Sequence, residues 1–192
     1  MLSAKCQQLP TAQSMQASNQ FVPPVLVLGL GNILLGDDGV GPALLREVQR
    51  LYAGVPAVEC VDGGTQGMAL LGYLAGREAL IILDAFDSGR NAGAVSVLEG
   101  ADVLGWGVTR STTAHEGNAG ELLAVAQLLD GLPERVFLIG IEPERVRTEL
   151  GLSEHVTGAL PAALMRACGV VERALAELKE QGLCCEMHEI NC

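Results

Sequence analysis

Three residues are of types that can hold a metal ion or move a proton, and each stands beside an expected strand or helix: Asp38, Asp84 and His115. Asp38 follows Asp37 in a glycine-punctuated stretch, VLVLGLGNILLGDDGVG over 25–41. Asp84 comes directly after Leu80, Ile81, Ile82 and Leu83, and His115 stands just before a helical pattern. Two carboxylates and one imidazole make a mixed oxygen and nitrogen donor set for a divalent metal, with positions left for water or substrate. Each residue also has a plainer use. A strand-ending Asp is a common turn former, an Asp ahead of a helix is an N-cap, and a loop His needs no role. The chemistry depends on whether the fold brings the three to one place.

The apolar patterning says what must position them. Residues 25–28 read as a buried strand, with a tight turn and an acidic loop after it. Val40, Leu44, Leu45, Val48 and Leu51 recur at helical spacing. A second strand is expected over 55–61, ending in a turn at Asp62, Gly63, Gly64 and Thr65, where two glycines allow close backbone approach. A short helix over 66–75, a third strand over 79–83 and a fourth over 94–98 follow. Residues 100–116 read as a loop, with Trp106 between glycines and a polar run at Ser111, Thr112 and Thr113. A helix over 117–129 presents Leu122, Leu123, Ala126 and Leu129 on one face, and 136–141 is a fifth strand. The last helix carries a stripe at Val156, Leu160, Leu164, Ala167, Val171, Leu175 and Leu178, with Pro161 kinking it or marking a restart. Continuous apolar strands alternating mostly with helices predict an α/β fold: three layers, with a twisted, mostly parallel five-stranded sheet covered on both faces. Asp38, Asp84 and His115 then fall on the carboxyl edge of the sheet, where open α/β sheets bind ligands.

Composition narrows the possibilities. The chain has 192 residues, 49% of them hydrophobic and 18% charged, which suits one globular domain with a sizeable core. Its net charge of −11 argues against nucleic acid or an acidic membrane surface as partner. No run of about 18 apolar residues suggests a membrane span. Residues 1–22 lack the apolar centre of a signal peptide and read as a disordered tail. The folded domain is expected over 23–181, with a Cys-rich tail over 182–192. Cysteines stand at 6, 60, 168, 184, 185 and 192, an irregular spacing that points to reduced thiols and a cytoplasmic home.

Sharper motifs can be tested. His115 and Glu116 begin like the zinc-protease HExxH, but position 119 is Ala. No G-x-S-x-G elbow and no phosphate-binding P-loop occurs. Cys60 is a conceivable nucleophile, with strand packing as the plainer role. The tail Cys residues lack the paired C-x-x-C spacing of a structural zinc site. The strongest competitor is a dinucleotide-binding regulatory domain: Gly29-x-Gly31 follows a strand, and Asp62 ends the next, where a ribose-binding acid would sit. Leu34 replaces the third glycine, however, and Asp37 and Asp38 would repel a pyrophosphate.

Taken together, GLGNILLGDDGVG, DGGTQGM at 62–68, LIILDAFDSG at 80–89 and the His115 segment before a helix resemble the [NiFe]-hydrogenase maturation endopeptidases. The resemblance runs from about Val25 to Leu178. It implies a five-stranded sheet with helices on both sides. It also implies an enzyme that removes a short C-terminal extension from the hydrogenase large-subunit precursor after nickel insertion. The family's metal-contacting trio falls on Asp38, Asp84 and His115. The first position is often Glu in the family, so Asp38 reaches one methylene less. Substrate recognition falls on Asp62, Gly63, Gly64 and Thr65. The nickel is expected to arrive with the precursor, with no metal of the enzyme's own, and a monomer is expected because the partner is another protein. Water activation by a metal or by an Asp, and a proton shared between Asp38 and Asp84 as in an aspartyl protease, both stay open. A nickel metallochaperone without protease activity is the remaining alternative.

Overall fold

The computed structural model describes residues 21–110 and 119–182. His115, the Ser111 to Thr113 run, nearly all of the 1–22 tail and the cysteines at 6, 184, 185 and 192 lie outside the described residues.

Alternation of side chains across the strands builds two cores. In β1 (Val25–Leu30), Val25 and Val27 face one layer while Leu26, Leu28 and Leu30 face the other. The first layer holds α1 (Val40–Leu51) and α5 (Glu154–Glu180). The second holds a 3-10 turn with the short α2 (Leu71–Leu74), and then α3 (Ala101–Arg110) and α4 (Ala119–Leu128). Between them lies one sheet of β1 with β2 (Val58–Gly64), β3 (Ala79–Ala85), β4 (Val95–Glu99) and β5 (Arg135–Ile141). Its order is β2-β1-β3-β5-β4, parallel except for the antiparallel edge strand β4. The expected three-layer α/β fold is therefore present.

The chain goes from β1 out to β2, then returns across β1 to β3. That reversal puts a topological switch point between the carboxyl ends of β1 and β3, where a crevice opens in folds of this type. β3 is the central strand, and Ala79 to Leu83 are each wholly buried. At about 1.5–3 kcal/mol for burying a large aliphatic side chain, its four bulky residues pin its end more firmly than that of any edge strand.

Several boundaries differ from the sequence reading. β2 starts at Val58 because Pro56 has no N–H to give a ladder and the chain closes a turn from Val58 N to Val55 O at 3.1 Å. It then runs through Gly64, so Asp62 and Gly63 belong to the strand rather than to a turn after it. Residues 101–110 form α3, where a loop was expected. Gly105 and Gly107 mask its helical pattern, but the N–H groups of Val103 and Leu104 both reach the Gly100 carbonyl and Val103 is fully buried. The short helix over 66–75 divides into a 3-10 turn (Gly67–Leu70) and α2. Leu51 and Leu129, expected on apolar faces, are 60% and 67% exposed because each lies at or past the end of its helix. Pro161 does not restart α5, which is one helix from Glu154 to Glu180 with Ser153 as its N-cap.

Candidate active site

Asp38 is carried by a loop that the sequence folds tightly. Gly31 leaves β1 at φ +120°, a backbone conformation closed to most side chains, and its N–H bonds the Gly64 carbonyl at 3.0 Å. Asn32 then organises a turn: its side-chain oxygen accepts from Leu34 N at 3.0 Å, and its carbonyl accepts from Leu35 N at 3.0 Å. The Asn32 N–H donates to Asp38 Oδ2 at 2.7 Å. A Cβ on Gly31 would lie 1.9 Å from the Asp38 carbonyl oxygen, so only glycine lets the loop close on itself. Asp38 is half-buried on a 3-10 turn (Asp37–Gly39) that leads into α1.

Asp84 sits at the end of β3, 9% exposed, and its Oδ1 accepts from Ala85 N at 2.8 Å. The register pairs Leu83 with Gly29, so Asp84 emerges beside the point where β1 enters the acidic loop. Gly41 closes the gap: a Cβ there would fall 2.0 Å from the Leu30 carbonyl oxygen and 2.4 Å from that of Leu83. The start of α1 therefore lies directly on the ends of β1 and β3. Asp38, on the 3-10 turn that follows β1, and Asp84, at the end of the neighbouring β3, stand at one edge of the sheet, flanking the switch point.

Two further carboxylates beside this edge have roles that the sequence reading did not assign: Asp37, which it noted only for its charge, and Glu142, which it did not single out. Asp37 is wholly buried; its Oδ2 accepts from Glu144 N at 2.9 Å and Arg145 N at 3.0 Å, and its Oδ1 from Ser153 N at 2.6 Å. Burial pushes its carboxyl up, but the backbone N–H groups of Ser153, Arg145 and Glu144 together outweigh it and leave the pKa below the ordinary value. Glu142, 4% exposed, accepts from Ser88 N at 2.8 Å, Ser88 Oγ at 2.7 Å and Gly89 N at 3.0 Å. Burial again acts upward, and the bonds from Ser88 and Gly89 win. Glu142 follows an apolar strand just as Asp84 does, which is the signal that could have found it.

Of the four residues assigned to substrate recognition, Asp62 and Thr65 are exposed and Gly63 is buried. A Cβ on Gly63 would meet Leu30 Cδ2 at 2.7 Å and Leu70 Cδ1 at 2.9 Å. Gly64 has φ +46°, and its N–H is held by Asp62 Oδ1 at 3.1 Å. Cys60 belongs with packing: it is half-buried against the first core, and burial pushes its thiol up to about 11. It borders a cavity of about 360 Å³ near Tyr52 and Pro56, between the last turn of α1 and the start of β2, at the end of the molecule away from Asp38. Among the described residues, no group of three or more His, Cys, Asp or Glu is gathered as a metal ion would need. No helix among them is long and apolar enough to cross a membrane.

Fold and site define a parallel-sheet protein with an acidic centre at its switch point, and comparison with known proteins says which kind. The family model described as hydrogenase maturation protease matches residues 42–170. The hydrogenase 2 maturation protease of Escherichia coli is 34% identical over 160 residues, covering 83% of this chain and 93% of the relative. The hydrogenase expression/formation protein HupD of Rhizobium leguminosarum is 34% identical, covering 78% and 74%. Among solved structures, the E. coli endopeptidase HybD superposes with a TM-score of 0.65 at 32% identity, covering 82% and 93%. A hydrogenase 2 maturation peptidase from a Thaumarchaeota archaeon gives 0.58 at 32% identity, covering 77% and 97%. The chain belongs to the hydrogenase maturation protease family, and with it to the endopeptidases.

That membership replaces the dinucleotide-binding and metallochaperone readings. The geometry also disfavours the first: residues 31–39 separate β1 from α1, so no helix N-terminus follows Gly29-x-Gly31 to receive a pyrophosphate.

Proposed function

We propose that this endopeptidase removes the C-terminal extension of a [NiFe]-hydrogenase large-subunit precursor after nickel insertion, and that it reads the bound nickel through Asp38, Asp84 and His115. The observation that carries this reading is the placement of Asp38, on the turn into α1, and Asp84, at the end of β3, at one sheet edge, with Gly41 packed against the carbonyls of Leu30 and Leu83. His115 lies outside the described residues, on the connection from α3 to α4. Because α4 leads back to the start of β5, its first residue lies toward the same sheet edge, which supports His115 as the third donor. The 23–181 domain carries the activity in this proposal, with 1–22 and 182–192 as tails.

Nickel is cargo here rather than a resident cofactor. Two carboxylates and an imidazole complete the coordination of an ion already held by the precursor. Without nickel the precursor loses that docking free energy, so cleavage reports on loading. The scissile peptide then lies beside the ion, where water can be activated and the carbonyl polarised. Asp62 and Thr65 flank the Asp38 loop on the β2 side, tied to it by the Gly31 to Gly64 hydrogen bond, and this suits contact with precursor backbone.

The test is a cleavage assay on nickel-loaded and nickel-free precursor, read by intact mass. Loss of a C-terminal peptide from the loaded form alone supports the proposal. Equal cleavage of both forms discards nickel recognition.

A further inference from the structure

Asp37 and Asp38 are adjacent and chemically identical, yet the fold uses them in opposite ways. Asp38 is half-buried at the sheet edge, whereas Asp37 turns inward and is wholly buried. All three backbone donors it meets belong to one segment, the connection 142–153 between β5 and α5: Glu144, Arg145 and Ser153, at 2.9, 3.0 and 2.6 Å. The same segment returns the contact, since the Asp37 and Gly36 N–H groups donate to the carbonyls of Arg145 and Glu149 at 3.2 and 2.8 Å. At the first residue of the connection, Glu142 holds Ser88 and Gly89, which lie downstream of Asp84. Phe86 N is tied to the Ile141 carbonyl at 2.9 Å. One connection therefore grips the loop that carries Asp38 and the loop that follows Asp84, each time through a buried carboxylate. Charged acceptors that receive several backbone N–H groups give directional, costly-to-break anchors.

We propose that Asp37 and Glu142 are positioning residues for the cleavage reaction: through the 142–153 connection they fix how Asp38 and Asp84 face one another. This rests on the reading of Asp38 and Asp84 as the site. Neither positioning residue touches the substrate. Asp37→Asn is the direct probe, because an amide presents one acceptor oxygen and turns its NH2 group against an N–H donor.

The experiment compares the full chain with D37N, E142Q, D38N and V171A on nickel-loaded precursor, at a temperature where each melts cooperatively well above the assay. Val171 is a wholly buried residue of α5 away from the site and serves as the destabilised control. The expected result is a fall of ten-fold or more in kcat for D37N with KM within two-fold, a smaller fall of the same kind for E142Q, and unchanged kcat for V171A despite a lower Tm. A role in stability alone would group D37N with V171A, and wild-type kcat in folded D37N overturns the proposal. If D37N does not fold, E142Q decides alone, and wild-type kcat there overturns it. Wild-type kcat in D38N instead removes the reading of the site on which the proposal stands.

Discussion

The Asn32 N–H donates to Asp38 Oδ2 across 2.7 Å, so the loop that carries Asp38 is closed by the carboxylate itself. One carboxylate oxygen holds the loop, and the charge of the group stands at the sheet edge. Asp38→Asn separates these tasks, since the amide oxygen can still accept from Asn32 while the charge is gone. Stability should change by no more than about 1 kcal/mol, while cleavage of the loaded precursor should fall about 100-fold, ~2.7 kcal/mol in the barrier. Urea unfolding and the cleavage assay measure the two separately. Full activity in this variant would remove Asp38 from the site.

Asp84 should be the most sensitive position. It ends the central strand, whose residues 79–83 are wholly buried, so little rearrangement can compensate for its loss. Asp84→Asn is expected to cut cleavage by about 1000-fold, ~4 kcal/mol, more than Asp38→Asn. A smaller effect at Asp84 than at Asp38 would reverse the ranking. His115→Ala should also weaken processing, and unchanged activity would exclude it.

Gly41 joins packing to function. A methyl group there meets two backbone carbonyl oxygens, those of Leu30 and Leu83, which cannot swing aside as side chains can. Gly41→Ala should therefore cost about 3 kcal/mol, the upper end of ordinary overpacking. It should also slow cleavage, because Leu83 leads directly into Asp84. Gly158→Ala is the control: no neighbour lies within 4 Å of a Cβ there, and α5 should gain about 0.5–1 kcal/mol from the change. Urea midpoints of the two variants should move in opposite directions.

The sequence made some of this visible and concealed the rest for physical reasons. β1, β3 and β5 are continuous apolar runs, so the parallel sheet and the placement of Asp38 and Asp84 at its carboxyl edge could be read directly. α3 could not, because Gly105 and Gly107 dilute its helical pattern and its commitment comes from Val103 buried under the sheet. The strand character of Asp62 and Gly63 was hidden by glycine, which reads as a turn although here it makes room for Leu30 and Leu70. The division of labour between Asp37 and Asp38 was also illegible. Local spacing cannot say which of two adjacent carboxylates will find Glu144, Arg145 and Ser153, more than 100 residues away.

Cys60 should be chemically quiet. With its thiol pushed up to about 11 by burial, only about one molecule in a thousand carries the thiolate at pH 8. Cys60→Ala should cleave the precursor within two-fold of wild type. Peptide-resolved mass spectrometry after iodoacetamide at pH 8 should show Cys60 alkylated far more slowly in the folded chain than after urea unfolding. Processing that is blocked by iodoacetamide in the wild type and spared in Cys60→Ala would overturn this assignment.

Glu142 predicts how stability responds to acid. Its folded-state pKa lies below the ordinary carboxylate value because the bonds from Ser88 and Gly89 outweigh burial. A depressed carboxylate contributes stability that is fully present above the unfolded pKa, about 4.3 for Glu. That contribution drains away as pH falls through the lower folded value. Glu142→Gln removes the charge and sets an amide NH2 against the N–H donors of Ser88 and Gly89, so at pH 7 it should cost about 2 kcal/mol, in the range for hydrogen bonds to charged groups. The gap to wild type should stay constant from pH 7 to about 5 and narrow below pH 4, as the wild-type carboxylate itself becomes protonated. Urea unfolding at intervals from pH 7 to 3 measures that difference curve. A gap that widened on acidification would mean that Glu142 is held neutral rather than charged, and its role as an anchor for the loop after Asp84 would fall with it.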